Sequence, residues 1–424
     1  MLAPDFYRRL ANSYGTPYFI YDARVLADSL RELRGALPAE MEVFYSLKAN
    51  PNISIFALLR SYGARAEVSS LVELETALRA GAKARDIIFL GPGKSRQELA
   101  ACVGAGIYAV VVESLPELDE LNRCAAATGI RQRVLLRINP ATAAPGSRLT
   151  MGGKPRQFGI DESQLLAAGQ LPCQYPSLHL AGVHAYLGTR ILDVAAVVDN
   201  TARVLEMAER VCAATAMDLE AVDVGGGLGV AYFDGESDPD LDQLRTGLHA
   251  VVQPFLRRHP QTRLLFESGR YLAARAGTYV IAIRYVKESM GQHFAVTDGG
   301  THHHMAAVGV GSAFRRNFPV KLLGRASDPS TVDWHLTGPL CTPGDTIASH
   351  VPLPALRPGD LIGILRSGAY GPTASPVYFL SHGYPAEILV HDGQPYLVRD
   401  RDTPDDLLRK QHHHSFARMA QLVD

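Results

Sequence analysis

The apolar positions of this chain fall into short runs that alternate with helix-periodic stretches. Phe44–Leu47 is such a run, and Ile53–Tyr62 behind it repeats its apolar residues at helical spacing. The pair recurs as Arg65–Val68 with Leu71–Ala80, Ile87–Leu90 with Arg96–Val103, and Tyr108–Val112 with Leu115–Ala127. Arg133–Ile138 is followed, after a long polar loop, by Glu162–Ala168; then come Leu180–Tyr186 with Val194–Ala214, and Ala221–Val224 with Asp240–Arg258. Arg263–Phe266 is the last strand-like run. Strands separated by helices predict a parallel sheet. Eight such units in about 230 residues match a closed (β/α)8 barrel. An open doubly wound sheet is the alternative that this pattern leaves standing.

After Gly277 the texture changes. Short strand-like pieces stand at Thr278–Val286, His293–Thr297, Leu361–Ile364, Val377–Leu380 and Glu387–His391, separated by turns such as Arg357-Pro358-Gly359-Asp360. This predicts an all-β domain, a sandwich or small barrel, over 278–424. The early run Thr16–Tyr21 has the same character, so residues 1–30 are expected to pack with that β-domain. The barrel, 31–277, would then be inserted between its parts.

Composition narrows the function classes. The chain has 424 residues, 47% of them apolar, which is enough for two cores. A formal net charge of -1 leaves no electrostatic footprint for nucleic acid or a membrane surface. No apolar run reaches the roughly 18 residues of a membrane span, and the opening Met-Leu-Ala-Pro-Asp-Phe-Tyr-Arg-Arg, without an uninterrupted apolar stretch, predicts no secretory leader. Cys102, Cys124, Cys173, Cys212 and Cys341 are scattered and form no close pair, which suits a reducing cytoplasm.

In a parallel barrel, chemistry gathers where strands end. Lys48 ends the first strand; burial there would lower its pKa and free the amine for a Schiff base, although an ordinary rim lysine reads the same. Gly225-Gly226-Gly227 follows the seventh strand, where backbone N–H groups can approach a phosphate; a flexible turn is the plain alternative. Glu267-Ser268-Gly269-Arg270 follows the eighth: the carboxylate suits a protonated ring nitrogen and the guanidinium a phosphate, unless the two merely pair at the surface. Cys341, in Gly338-Pro339-Leu340-Cys341-Thr342-Pro343-Gly344-Asp345, is a candidate proton carrier or a small hydrophobe. Three successive histidines on an extended segment alternate faces, so His302-His303-His304 predicts no metal site, and His412-His413-His414 reads as solvated.

Together these segments resemble the fold-type III pyridoxal-5′-phosphate (PLP) decarboxylases, which include diaminopimelate, ornithine and arginine decarboxylases. The resemblance runs from Tyr14-Gly15-Thr16-Pro17 to Pro385-Ala386-Glu387-Ile388. It implies a PLP-binding barrel with a β-domain, and a Schiff base on Lys48. Gly225, Gly226, Gly227, Gly269, Arg270 and Tyr370 would hold the phosphate, and Glu267 the pyridine nitrogen. Arg137 would lie near the cofactor. Cys341 would protonate the substrate carbon, and His184, Thr342 and Asp345 would face the substrate. Cys341 and Asp345 would come from the second subunit of a homodimer with shared active sites.

The departures from that pattern are informative. Tyr186 stands where the family stacks a histidine on the ring. Thr342 stands where the diamino-acid enzymes carry a carboxylate, so a cationic side chain would be left unpaired. Thr301-His302-His303-His304-Met305-Ala306-Ala307 replaces an arginine-bearing segment. Asp298–Ala306, Arg316-Asn317-Phe318-Pro319, Gly338–Pro343 and Arg156-Gln157-Phe158-Gly159-Ile160 resemble a smaller branch. That branch holds the butirosin-pathway decarboxylase, which acts on carrier-bound glutamate, and exosortase-associated enzymes. The expectation is therefore an α-decarboxylase of a glutamyl or aspartyl group on an acyl carrier protein, with Arg315 and Arg316 as candidate docking cations. Rival readings are a decarboxylase of a free amino acid such as diaminopimelate, an amino-acid racemase, and a non-catalytic PLP-binding homologue.

Overall fold

Strand β1 (Tyr18–Asp22) precedes a ring of eight strands: β2 (Met41–Ser46), β3 (Arg65–Val68), β4 (Ile87–Phe89), β5 (Ala109–Val112), β6 (Gln132–Asn139), β7 (Leu178–His184), β8 (Ala221–Asp223) and β9 (Arg263–Ser268). Each is parallel to the next, and β9 pairs with β2 to close the barrel. This computed structural model describes residues 3–141, 149–150, 155–308, 316–325 and 330–414. All eight strand-like runs of the sequence fall on the ring, which removes the open-sheet alternative.

The strands are apolar on both faces because both are covered. Val43, Tyr45, Ala66, Val68, Leu264 and Phe266 pack into the layer shared with the helices. Phe44, Ile88, Val111, Leu135, Ala221 and Leu265 form a separate cluster that fills the barrel. Strand period is two, so the next inward position beyond each of these lies nearer the C-terminal mouth. There the residues turn polar: Ser46 after Phe44, Arg137 after Leu135, Asp223 after Ala221 and Glu267 after Leu265. Side-chain caps start the helices between strands: Asp22 on Ala23–Ala36, Ser70 on Leu71–Arg79, Ser114 on Leu115–Thr128, and a full capping box of Ser95 with Glu98 on Arg96–Ala105.

The rest of the chain forms β10 (Gly277–Ser289), β11 (Gln292–Thr297), β12 (Val320–Leu323), β13 (Val332–Thr337), β14 (Thr346–Leu353), β15 (Leu361–Leu365), β16 (Ala386–His391) and β17 (Gln394–Arg399). Their sheet runs β14-β13-β11-β10-β1-β16-β17, with β15 pairing β10 and β12. Strand β1 is central in it, antiparallel to β10 and parallel to β16.

Two local expectations are corrected. Val377–Leu380 is not a strand: Pro376 precedes it, Phe379–Ser381 is a single 3-10 turn, and Leu380 and Ser381 take left-handed φ of 52° and 58°. His302-His303-His304 is not extended either. His302 and His303 lie in a turn, and all three rings are buried, His304 bonded to Ser367 and His303 to Tyr279 and the Gly383 carbonyl. Among the described residues, no helix is long and apolar enough to cross a membrane.

Candidate active site at the barrel mouth

The polar residues at the strand ends converge on a cavity of about 440 Å³, lined among others by Lys48, Arg137, His184, Tyr186, Glu267, Arg270 and Tyr370. Register explains the convergence. Arg137 and Asp223 both lie level with His184, and Glu67 lies level with Ser46, beside Lys48.

Lys48 sits in the single turn Leu47–Ala49 that ends β2. Its Nζ is 3.2 Å from Glu67 Oε2 and 4.0 Å from Glu267 Oε2, and 5.7 Å from the Tyr186 ring centroid. Burial disfavours the ammonium, but Glu67 and Glu267 outweigh it and hold the lysine above its ordinary range. The expected lowering is thus overturned, because two buried carboxylates face the amine.

Behind Lys48, Glu267 is 1% exposed and meets His184 Nε2 at 3.1 Å. Burial alone would raise its pKa; the His184 hydrogen bond and the Lys48 charge hold it down at about 2. Burial keeps His184 below its ordinary range, so the ring is neutral. Asp223 is pushed well above the carboxylate range, first by burial and then by Glu267. Within this trio burial favours the uncharged forms of His184 and Asp223 and leaves the charge on Glu267, while Glu67 faces Lys48 as a second carboxylate. Arg137 pairs with buried Glu113 at 2.8 Å and lies 4.6 Å from the Phe158 ring centroid, which fixes it at the cavity wall.

The glycine run is a wedge between neighbouring loops. A Cβ on Gly226 would stand 1.8 Å from the Glu267 carbonyl oxygen, and one on Gly227 2.1 Å from that of Gly188. Gly225 abuts Tyr186 and accepts the Glu267 N–H at 2.7 Å. A Cβ on Gly269 would meet Ala49 at 2.8 Å, beside Lys48. Arg270 donates to Tyr232 Oη at 3.2 Å and lies 4.4 Å from the Tyr370 ring centroid. The β-domain delivers Tyr370, whose N–H bonds the Ala49 carbonyl at 2.7 Å.

These residues fit PLP. Glu267 keeps one buried oxygen, Oε2, without a hydrogen-bond partner, which suits an N–H on a pyridine ring. Arg270 is buried at Nε without a hydrogen-bond partner and, among the described residues, meets tyrosines rather than a carboxylate, so it is a cation suited to a phosphate.

Three expected residues lie elsewhere. Cys341 and Thr342 are exposed on the loop joining β13 to β14 and do not line the cavity of their own chain. Asp345 is 3% exposed; its oxygens accept from Thr301 N at 2.7 Å, Thr301 Oγ1 at 2.8 Å and Leu340 N at 2.8 Å. Glu67, Glu113, Asp223 and Phe158 were missed. For the first three the signal was available: a carboxylate inside or just after a run otherwise read as a buried strand.

Residues 24–274 match the family described as "Pyridoxal-dependent decarboxylase, pyridoxal binding domain". The "L-glutamyl-[BtrI acyl-carrier protein] decarboxylase" of Niallia circulans is 38% identical over 95% of both chains. The diaminopimelate decarboxylase of Neisseria meningitidis serogroup B is 31% identical over 94% of this chain and 93% of its own. The crystal structure of the Helicobacter pylori diaminopimelate decarboxylase complexed with L-lysine superposes with a TM-score of 0.85 at 28% identity, covering 95% of this chain and 98% of that one. With Lys48, Glu267 and the glycine wedge gathered at one barrel mouth, this chain belongs to the fold-type III pyridoxal-dependent decarboxylases.

Proposed function

We propose that the enzyme removes the α-carboxylate, as carbon dioxide, from a glutamyl or aspartyl group held as a thioester on an acyl carrier protein. The observation that carries this is the lack of a free anion on the Cys341 loop. Thr342 brings no charge, and Asp345 spends its oxygens on Thr301 and Leu340. A distal ammonium would find no partner there. The 38% identical relative named for a carrier-bound glutamyl group supports the same choice.

PLP, when bound, supplies an electron sink for the pair left behind as the carbon–carbon bond breaks. The chain does the rest. Lys48 would hold the cofactor through its amine and would exchange it for the substrate amine. Glu67 takes up or returns the proton that this exchange moves at Nζ. Glu267, kept anionic and steadied by neutral His184, holds a proton on the ring nitrogen. Gly225, Gly226, Gly227, Gly269, Arg270 and Tyr370 would grip the phosphate, Tyr186 would cover the ring, and Arg137 would set the wall against which the substrate is oriented. Cys341 reaches the site from the second subunit of a homodimer and returns a proton to the α-carbon. Asp345 positions that loop rather than touching substrate. Arg316, which is exposed, is a docking cation for the acidic carrier; Arg315 lies outside the described residues.

Mass spectrometry of glutamyl- and aspartyl-loaded carrier protein, before and after enzyme, tests the proposal. Loss of the mass of carbon dioxide from the loaded carrier is expected, with free glutamate, aspartate and lysine precursors turned over far more slowly. Rapid release of carbon dioxide from free diaminopimelate would establish the second reading, which the Neisseria relative favours.

A further inference from the structure

Strands β13 and β14 are the arms of a hairpin whose connecting loop carries Cys341. They pair from Val332 opposite Leu353 to Thr337 opposite Thr346. Asp333 and His335 are two residues apart on β13 and so share a face. On β14 the register slips: Trp334 faces Val351 but Leu336 faces Ala348, so one extra residue is accommodated there. His350 lies in that bulge with a left-handed φ of 54°. Such a conformation is disfavoured in a side-chain-bearing residue, and bulges re-aim side chains. Here the bulge brings His350 onto the face of Asp333 and His335.

We propose that Asp333, His335 and His350 bind one divalent transition-metal ion of the zinc class, which clips the two arms of this hairpin together. One ligand atom from each of the three lies within 4.8 Å of the other two. His350 Nδ1 is 2.8 Å from Asp333 Oδ2, and the two imidazole centroids are 4.6 Å apart at 71°. Phe294 stacks on His335 at 5.1 Å and holds that ring in place. Two imidazoles with one carboxylate suit Zn²⁺ with open positions left for water, and are a poor set for the oxygen-seeking Mg²⁺ or Ca²⁺. Asp333 and His350 side chains are 60% and 68% exposed, so an ion enters without any opening of the fold. Among the described residues, strand β14 is the edge of its sheet and pairs with β13 alone. An ion bridging the two would stiffen the arms on either side of Gly338–Asp345. This inference stands apart from the choice of substrate.

Isothermal titration with Zn²⁺ tests it on the PLP-loaded enzyme, with His412, His413 and His414 replaced by alanine in every sample to remove the exposed tract. One equivalent of Zn²⁺ is expected per chain. His350→Gly removes a ligand while relieving the left-handed backbone, so it is expected to keep the fold and to weaken Zn²⁺ at least about tenfold. Asp333→Asn should weaken it similarly without touching the bulge. Amide exchange along 332–353 should slow on adding Zn²⁺ to the parent and not to His350→Gly. Equal affinity in the parent and both variants, or no Zn²⁺ uptake by the parent, overturns the proposal.

Discussion

Lys48 is held between Glu67 and Glu267, and its reactivity depends on where the proton on Nζ goes. An ammonium cannot attack a carbonyl, so a lysine held above its ordinary range needs a nearby base. Glu67, 0% exposed and held by Ser69 Oγ at 3.0 Å, is the base proposed for it. Glu67→Gln removes the largest favourable charge on the amine, so the Lys48 pKa falls and more of the residue is neutral at a given pH. The pH midpoint for capture of PLP by the cofactor-free enzyme should move down by about one unit or more, followed by absorbance and by borohydride trapping on Lys48. An unmoved midpoint would remove Glu67 from this role. The sequence shows Lys48 and Glu267 because each ends a strand next to a punctuating loop. It hides the sign of the lysine shift, since burial is a local property of position whereas the counter-charges come from two other strands, Glu67 from the adjacent β3 and Glu267 from β9, which ring closure sets against β2.

Strand alternation was the most legible feature, because buried parallel strands are apolar throughout and need no partner to be recognised. The β-domain was harder to read. Strand β13, Val-Asp-Trp-His-Leu-Thr, mixes charge with apolar residues, and the bulge at His350 breaks the period of β14, so both escaped. Val377–Leu380 misled because apolar content alone does not make a strand when proline and left-handed residues interrupt the ladder. The glycine run, weak as a motif, becomes strict once its neighbours are known. Gly226→Ala would drive a methyl group into the Glu267 carbonyl, which also anchors the residue proposed to hold the ring nitrogen. Relief requires the β8 and β9 loops to separate, at about 1–3 kcal/mol. The variant should therefore show a lower melting temperature and at least about tenfold weaker PLP binding, by thermal unfolding and cofactor titration. Wild-type values on both would mean that the loops already have room.

At the scale of the molecule, two distant stretches of chain meet at one mouth. The barrel is inserted between β1 and the rest of the β-sheet, and the Tyr370–Ala49 hydrogen bond ties the sheet to the Lys48 turn. Yet the hairpin from the same β-domain leaves Cys341 exposed and off the cavity of its own chain. If the thiol serves the α-carbon, it must reach a cavity on another copy. The consequence is a genetic one. Lys48→Ala and Cys341→Ala are each expected to be nearly inactive as homodimers. Mixed after partial unfolding, half of the dimers are hybrids, and each hybrid has one site with both residues and one with neither. Activity should return to about a quarter of wild type for two-fold-symmetric pairing. Were Cys341 to act within its own chain, no hybrid site would hold both groups, and the mixture would stay as inactive as its parents.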